Sequence, residues 1–138
     1  MEQAAIDGNL DELKKYGQYI YLDNKTITQI VLNGHIHILQ YLRNEFFILP
    51  HDLEGCITDS ITSDVENIEM LEWLKQEGVE CNSDHADTAA LKGKLLTLQW
   101  MKKYNVYATV KGLYYALKYS HTEVHDWIVN CNNNRIIW

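Results

Sequence analysis

The sequence predicts an all-α fold made of about five stacked helix-turn-helix repeats, and three observations predict it. Trp73, Trp100 and Trp127 are separated by 27 and 27 residues, each inside a related segment: Ile68-Glu-Met-Leu-Glu-Trp-Leu74, Leu95-Leu-Thr-Leu-Gln-Trp-Met101 and Thr122-Glu-Val-His-Asp-Trp-Ile128. Apolar side chains fall at relative positions 0, 3 and 6 of the first two of these segments, and at position 6 of the third, while Glu, Lys and Gln take the other face, which is the pattern of an amphipathic helix. A glycine or small polar residue stands before most of them, at Gly8, Gly34, Gly93 and Ser120, with Glu66 as the exception. A residue of that kind permits the tight turn between two antiparallel helices.

The elements follow in order. In the first repeat, residues 1–22, Ala4-Ala5 mark a short first helix, Gly8 the turn and Leu10-Asp-Glu-Leu-Lys-Lys-Tyr16 the second helix, which Asn9 is placed to cap. The second, 23–48, repeats the order with Ile30-Val31, Gly34 and Ile36-His-Ile-Leu-Gln-Tyr-Leu42, where Tyr41 takes the tryptophan position. Segment starts at 10, 36, 68, 95 and 122 are 26, 32, 27 and 27 apart, so an insertion is placed near residues 50–55, ahead of the third repeat at 52–80. There Ser60-Ile61 mark the first helix, Ser63 and Glu66 have capping-box spacing a turn early, and the register of the turn stays open. The fourth, 81–107, has Ala89-Ala90 and Gly93; the fifth, 108–131, has Ala116-Leu117 and Ser120, with Ser120 and Glu123 spaced as a capping box. Gly17 and Gly78 fall where second helices end. The β-prone runs Tyr19-Ile-Tyr-Leu22 and Val106-Tyr-Ala-Thr-Val110 lie between repeats, where a short extended connection suffices. The repeats are expected to form one domain over residues 1–131, leaving residues 132–138 as a tail.

The totals bound the function. At 138 residues and 46% apolar content the chain is long and apolar enough for one folded core, and its longest apolar runs are too short to span a bilayer. The opening Met1-Glu2-Gln3 has no basic region or apolar stretch of a secretory signal, so the expected compartment is cytoplasm or nucleus. Cys56, Cys81 and Cys131 are far apart and odd in number, against a disulfide framework or a paired zinc knuckle. A net charge of −7 with scattered lysines and arginines argues against nucleic-acid and membrane partners.

The string Ala89-Ala-Leu-Lys-Gly-Lys-Leu-Leu-Thr-Leu-Gln-Trp-Met101 resembles the core of ankyrin repeats, and Val31-Leu-Asn-Gly-His-Ile-His-Ile-Leu-Gln-Tyr-Leu42 matches it down to the Gly-His pair. The resemblance covers residues 4 to about 130, in a short form common in large DNA viruses and some protists. It departs from the ordinary repeat in its period near 27 and in lacking a Thr-Pro-Leu-His start. The resemblance implies an ankyrin-like solenoid whose helix pairs bury their apolar stripes only by stacking. It further implies that the two residues before each turn residue point into a concave binding face: Ile6 and Asp7, Leu32 and Asn33, Leu91 and Lys92, Lys118 and Tyr119, with Asp64 and Val65 in the third repeat. Asp7, Asn33, Lys92, Lys118 and Tyr119, together with Tyr107, are the partner-binding candidates; Tyr19, Tyr21, Phe46 and Phe47 extend the aromatic set. The function so implied is non-catalytic binding of another protein, with no cofactor. A viral host-interaction protein is one form of it. Self-association through the solenoid ends is the alternative, and a small metal-dependent enzyme a third reading.

Sites of chemistry are weighed against this. His121-Thr-Glu-Val-His125 sets two imidazoles at i, i+4, but its Glu is misplaced for a zinc-protease helix and no third ligand is marked. His121 occupies the position of His35, which in ankyrin-like repeats is a structural turn residue. The acidic stretch from Asp59 to Glu69 lacks the order of a calcium loop. Cys56 and Cys81 have no Cys-His-Asp order around them, and no phosphate-cradling glycine loop or hydrolase elbow occurs.

Overall fold

A computed structural model describes residues 1–135, with side chains described as far as Cys131. Its described residues form ten α-helices and two short 3-10 helices, with no strand among them. The chain divides into two compact units, Met1–Val79 and Glu80–Trp138. The division falls within a residue of the expected boundary between the third and fourth repeats.

The first unit holds α1 (Glu2–Ile6), α2 (Leu10–Lys14), α3 (Asn24–Leu32), α4 (Ile36–Asn44), α5 (Cys56–Thr62) and α6 (Ile68–Gln76). They pair in chain order as hairpins, and the first helices α1, α3 and α5 pack side by side. Small or β-branched residues at the contact, Ala4 and Ala5, Ile30 and Val31, Ser60 and Ile61, are all buried. The second helices supply the larger core residues Leu13, Leu39, Leu42, Leu71 and Leu74. Burying one leucine of this kind contributes about 1.5–3 kcal/mol.

The second unit holds α7 (Ser83–Leu91), α8 (Leu95–Lys102), α9 (Val110–Lys118) and α10 (Thr122–Arg135). Again each first helix pairs with the helix after it, and α7 packs on α9. That contact is close because α9 turns Gly112 and Ala116, one helical turn apart, toward the core, where both are buried. Helix α10 continues through Arg135, so residues 132–135, expected as tail, belong to a helix. Residues 136–138 lie outside the described residues.

Four hairpins share one three-residue turn. Its last residue donates its N–H to a carbonyl five residues back: Asn9 to Ala4 at 2.8 Å, His35 to Ile30 at 3.1 Å, Lys94 to Ala89 at 2.9 Å and His121 to Ala116 at 2.8 Å. This is the Schellman arrangement, which satisfies carbonyls a helix end leaves unpaired and needs a left-handed residue in the turn. Gly8, Gly34, Gly93 and Ser120 fill that place, with φ of 77°, 74°, 70° and 61°. Ser120 is therefore a turn residue and not the cap expected from its spacing to Glu123. The hairpin α5–α6 has five connecting residues, and the link from α4 to α5 is the longest between hairpins. The insertion is thus split between that link, where Leu53 of the 3-10 helix Pro50–Leu53 is fully buried, and the turn.

Trp73, Trp100 and Trp127 are each the sixth residue of their helix, in α6, α8 and α10, and Tyr41 is the sixth of α4. Trp73 and Trp100 are buried and Trp127 is half-buried.

Candidate interaction surface

Within each unit, successive hairpins are tied through the turn. Imidazole atoms of His35 lie 2.8 Å from where a Cβ on Gly8 would stand, and those of His121 lie 2.6 Å from one on Gly93; Asn67 Nδ2 lies 2.9 Å from one on Gly34. Glycine at these three turns therefore serves both the left-handed backbone and the approach of the next hairpin. The carbonyl two residues before the turn glycine accepts a bond from that hairpin: Asn33 Nδ2 donates to Ile6 O at 3.0 Å, Ser63 Oγ to Leu32 O at 3.0 Å, and His121 Nε2 pairs with Leu91 O at 3.1 Å. His37 Nε2 pairs with Gly8 O at 2.8 Å. These side chains satisfy helix-end carbonyls and fix the stacking register.

The partner-binding candidates divide between the units. In the first, Asp7 is exposed and accepts from Gln3 Nε2 at 2.8 Å, while Asn33 spends its amide on Ile6. In the second, Lys92 and Lys118 are exposed at the C-terminal ends of neighbouring helices, where a cation complements the helix dipole. The Lys118 ammonium lies 5.5 Å from the Tyr119 ring centre and 6.0 Å from that of Tyr114, within cation–π range. Tyr119 is half exposed and Tyr107 is half-buried. Tyr19, Tyr21 and Phe46 are exposed in the first unit, whereas Phe47 packs on Tyr41 with ring centres 6.2 Å apart. Phe46 has a φ of 62°, in a place equivalent to Gly78 and Asn105 at other helix ends.

Three residues on α9 complete this surface: Val110, Tyr114 and Leu117, exposed by 62%, 57% and 60%. They lie at i, i+4 and i+7 on one side of the helix, with Gly112 and Ala116 on the opposite, buried side. The spacing was visible in the sequence. What hid it was the pairing of Ala116 with Leu117 as a first-helix contact, a place that is buried in every other hairpin.

Charge also segregates. The first unit contains 14 acidic and 5 basic residues, the second 5 acidic and 7 basic. Between Asp87 and Glu123 stand six lysines and no carboxylate side chain. The lysines that look scattered along the sequence therefore give the second unit a local basic character inside an acidic chain.

Elsewhere, a cleft between α3 and α5 is lined by Thr28, His51, Asp52, Cys56 and Asp59. Burial raises the Asp59 carboxyl above its ordinary value, opposed by the bond it accepts from Thr28 Oγ1 at 3.1 Å. Burial, and secondarily the Asp59 charge, pushes the Cys56 thiol up to about 12, which suppresses the reactive thiolate. His121 and His125 turn to different partners, the second to Asp126 Oδ1 at 3.1 Å. Among the described residues no group of three His, Cys, Asp or Glu is arranged to hold a metal ion, and no helix there is long and apolar enough to cross a membrane. No protein-family model, curated protein or solved structure matches the chain.

Proposed function

We propose that the chain is a non-catalytic protein-binding module of short ankyrin-like repeats, acting in the cytoplasm or nucleus on a partner protein. The observation that carries this reading is the recurring turn. In each unit a left-handed turn glycine receives a side chain from the turn of the next hairpin, while the carbonyl two places earlier is bonded by a side chain of that same turn. Repetition of one local device, with different residues filling it, is what a stack of equivalent units requires.

The surface that fits a partner best is in the second unit. Tyr119 offers a rigid aromatic held beside the Lys118 cation, Lys92 adds a second charge at the neighbouring helix end, and Tyr107 stands half-buried ahead of α9. Aromatic and basic side chains of this kind dominate interface energetics. Asp7 and Asn33 are the corresponding residues of the first unit, with Asn33 contributing through the register it sets.

A test is quantitative affinity capture with the intact chain and with Lys92→Ala/Lys118→Ala/Tyr119→Ala, after circular dichroism has shown equal helicity. Loss of most specific partners from the variant supports the reading. Equal capture by both proteins refutes it. Self-assembly is the second reading, favoured by the exposed apolar side of α9. Sedimentation across a concentration series separates the two, since self-assembly requires mass to rise with concentration.

A further inference from the structure

We propose that the outward side of α9 is a seat for a single amphipathic helix with acidic flanks, supplied by another protein. The inference rests on the protein-binding reading above and gives it a second surface with a defined partner chemistry. Three observations lead to it.

The first is an empty place in a row. Leu117 stands at the position held by Ala5, Val31 and Ala90 in other hairpins, which are 0%, 2% and 0% exposed, each on a first helix that the next first helix packs against. No such helix follows α9 among the described residues, and Leu117 is open together with Val110 and Tyr114. A stripe at i, i+4 and i+7 fits the matching stripe of one more helix.

The second observation decides that the occupant is a lone helix. Wherever a hairpin is followed by another in its unit, the turn residue is glycine and a side chain from the follower's turn comes within 3 Å of its missing Cβ, as on Gly8, Gly34 and Gly93. At the last turn that residue is Ser120, at φ 61°, which carries the Cβ that the glycines lack. A further hairpin in the same register would collide there. A helix lying along α9 alone would not reach the turn.

The third observation sets the charge. Lys111 and Lys118 are exposed on α9, and no carboxylate side chain occurs between Asp87 and Glu123. Glutamates or aspartates flanking the apolar stripe of the incoming helix would face these cations and steer its approach. Two α9 helices paired antiparallel across a two-fold axis would instead bring Lys111 to Lys118. A phosphate backbone would leave the apolar stripe unused.

The test follows the Val110 and Leu117 methyl signals of the full-length protein by NMR. The titrants are a synthetic helical peptide carrying Leu at i, i+4 and i+7 with Glu flanks, its Lys-flanked counterpart, and an oligouridylate. The expected result is a saturable shift with the Glu-flanked peptide, affinity about tenfold weaker with the Lys-flanked one, and reversal of that preference in Lys111→Glu/Lys118→Glu. Leu117→Asp should abolish the shift with helicity unchanged, since the residue is exposed. Silence of both methyls up to millimolar peptide overturns the proposal, as does equal response to the two peptides or a stronger response to the oligouridylate. Signals that move on simple dilution would assign the seat to a second copy, and signals that move on deleting residues 136–138 would assign it to the chain's own end; either overturns it. A protein that ignores the peptides yet still loses its captured partner in the Lys92/Lys118/Tyr119 variant would sink this inference and leave the proposed function standing.

Discussion

The carboxylate of Asp87 grips Thr109 twice, accepting its N–H at 2.7 Å and its hydroxyl at 2.7 Å. Asp87 is buried on α7 and Thr109 is the N-cap of α9, so one side chain both joins the two helices and places a negative group at the positive start of α9. Removing it in Asp87→Ala leaves the Thr109 donors without their acceptor and should cost about 2–4 kcal/mol in urea unfolding. Asp87→Asn keeps one acceptor oxygen and should cost clearly less. Equal losses in the two variants would contradict this account.

Gly112 is required by the same contact. A Cβ there would stand 2.5 Å from Asp87 Oδ1, 2.9 Å from Ala108 Cβ and 3.2 Å from the Asp87 Cα. Alanine in a helix ordinarily gains about 1 kcal/mol over glycine. Gly112→Ala should instead destabilise, because the carboxylate is pinned by two bonds and the backbone behind it cannot retreat. A raised melting temperature would show that the helices are free to part.

The turns predict substitutions of opposite sign. Gly93→Ala combines a left-handed backbone with a clash against the His121 ring and should cost about 1–3 kcal/mol. Ser120→Gly and Phe46→Gly each relieve a non-glycine residue at positive φ where the side chain is exposed. Both should stabilise, by about 0.5–1 kcal/mol. Thermal unfolding of the three variants checks the order.

Two groups predict opposite pH responses. The folded pKa of Asp59 is raised, so the folded chain holds this proton more tightly than the unfolded chain, and the group's contribution falls as pH rises through the folded value. Asp59→Asn, which keeps an acceptor for Thr28, should match the native chain in acid and be the more stable near neutrality. The folded pKa of His85 is lowered, chiefly by burial, and its Nδ1 accepts from the Asn82 N–H at 3.0 Å in the capping box of α7. Its contribution is present above the ordinary imidazole value and is lost as pH falls through the folded one. His85→Gln preserves the box and should flatten that part of the stability profile. Denaturation midpoints between pH 4 and pH 8 read both effects (about the span over which these groups titrate).

Cys56, with its thiol pushed to about 12 and its side chain buried, should resist a thiol reagent at neutral pH until the chain unfolds. Labelling of Cys56 in the native state at the rate of a free thiol would show that α5 opens readily.

Much of the helical order was legible from residues alone. Periodic leucines and tryptophans mark the second helices because a buried stripe must recur with the helical period, and the glycines mark turns because few other residues accept a left-handed backbone. Asn9 caps α2 as its position in the sequence predicts, its side chain accepting from the Glu12 N–H at 3.1 Å. Ser120 misled, since its spacing to Glu123 satisfies a capping rule while the backbone puts it inside the turn. The third hairpin could not be registered because its extra residues are shared between a link and a turn, and neither carries a periodic signal.

That this chain is helical, and where four of its five hairpins turn, follow from local propensity and periodicity, which act between residues close in the chain. Folding in three dimensions is what spends Asp87 on Thr109, brings His35 and His121 into the space left by glycines, and leaves Leu117 open while its counterparts are covered. Those outcomes depend on which residues distant in the chain come within a few ångströms of one another, and an apolar residue at helical spacing carries no mark of whether a neighbour will arrive to cover it.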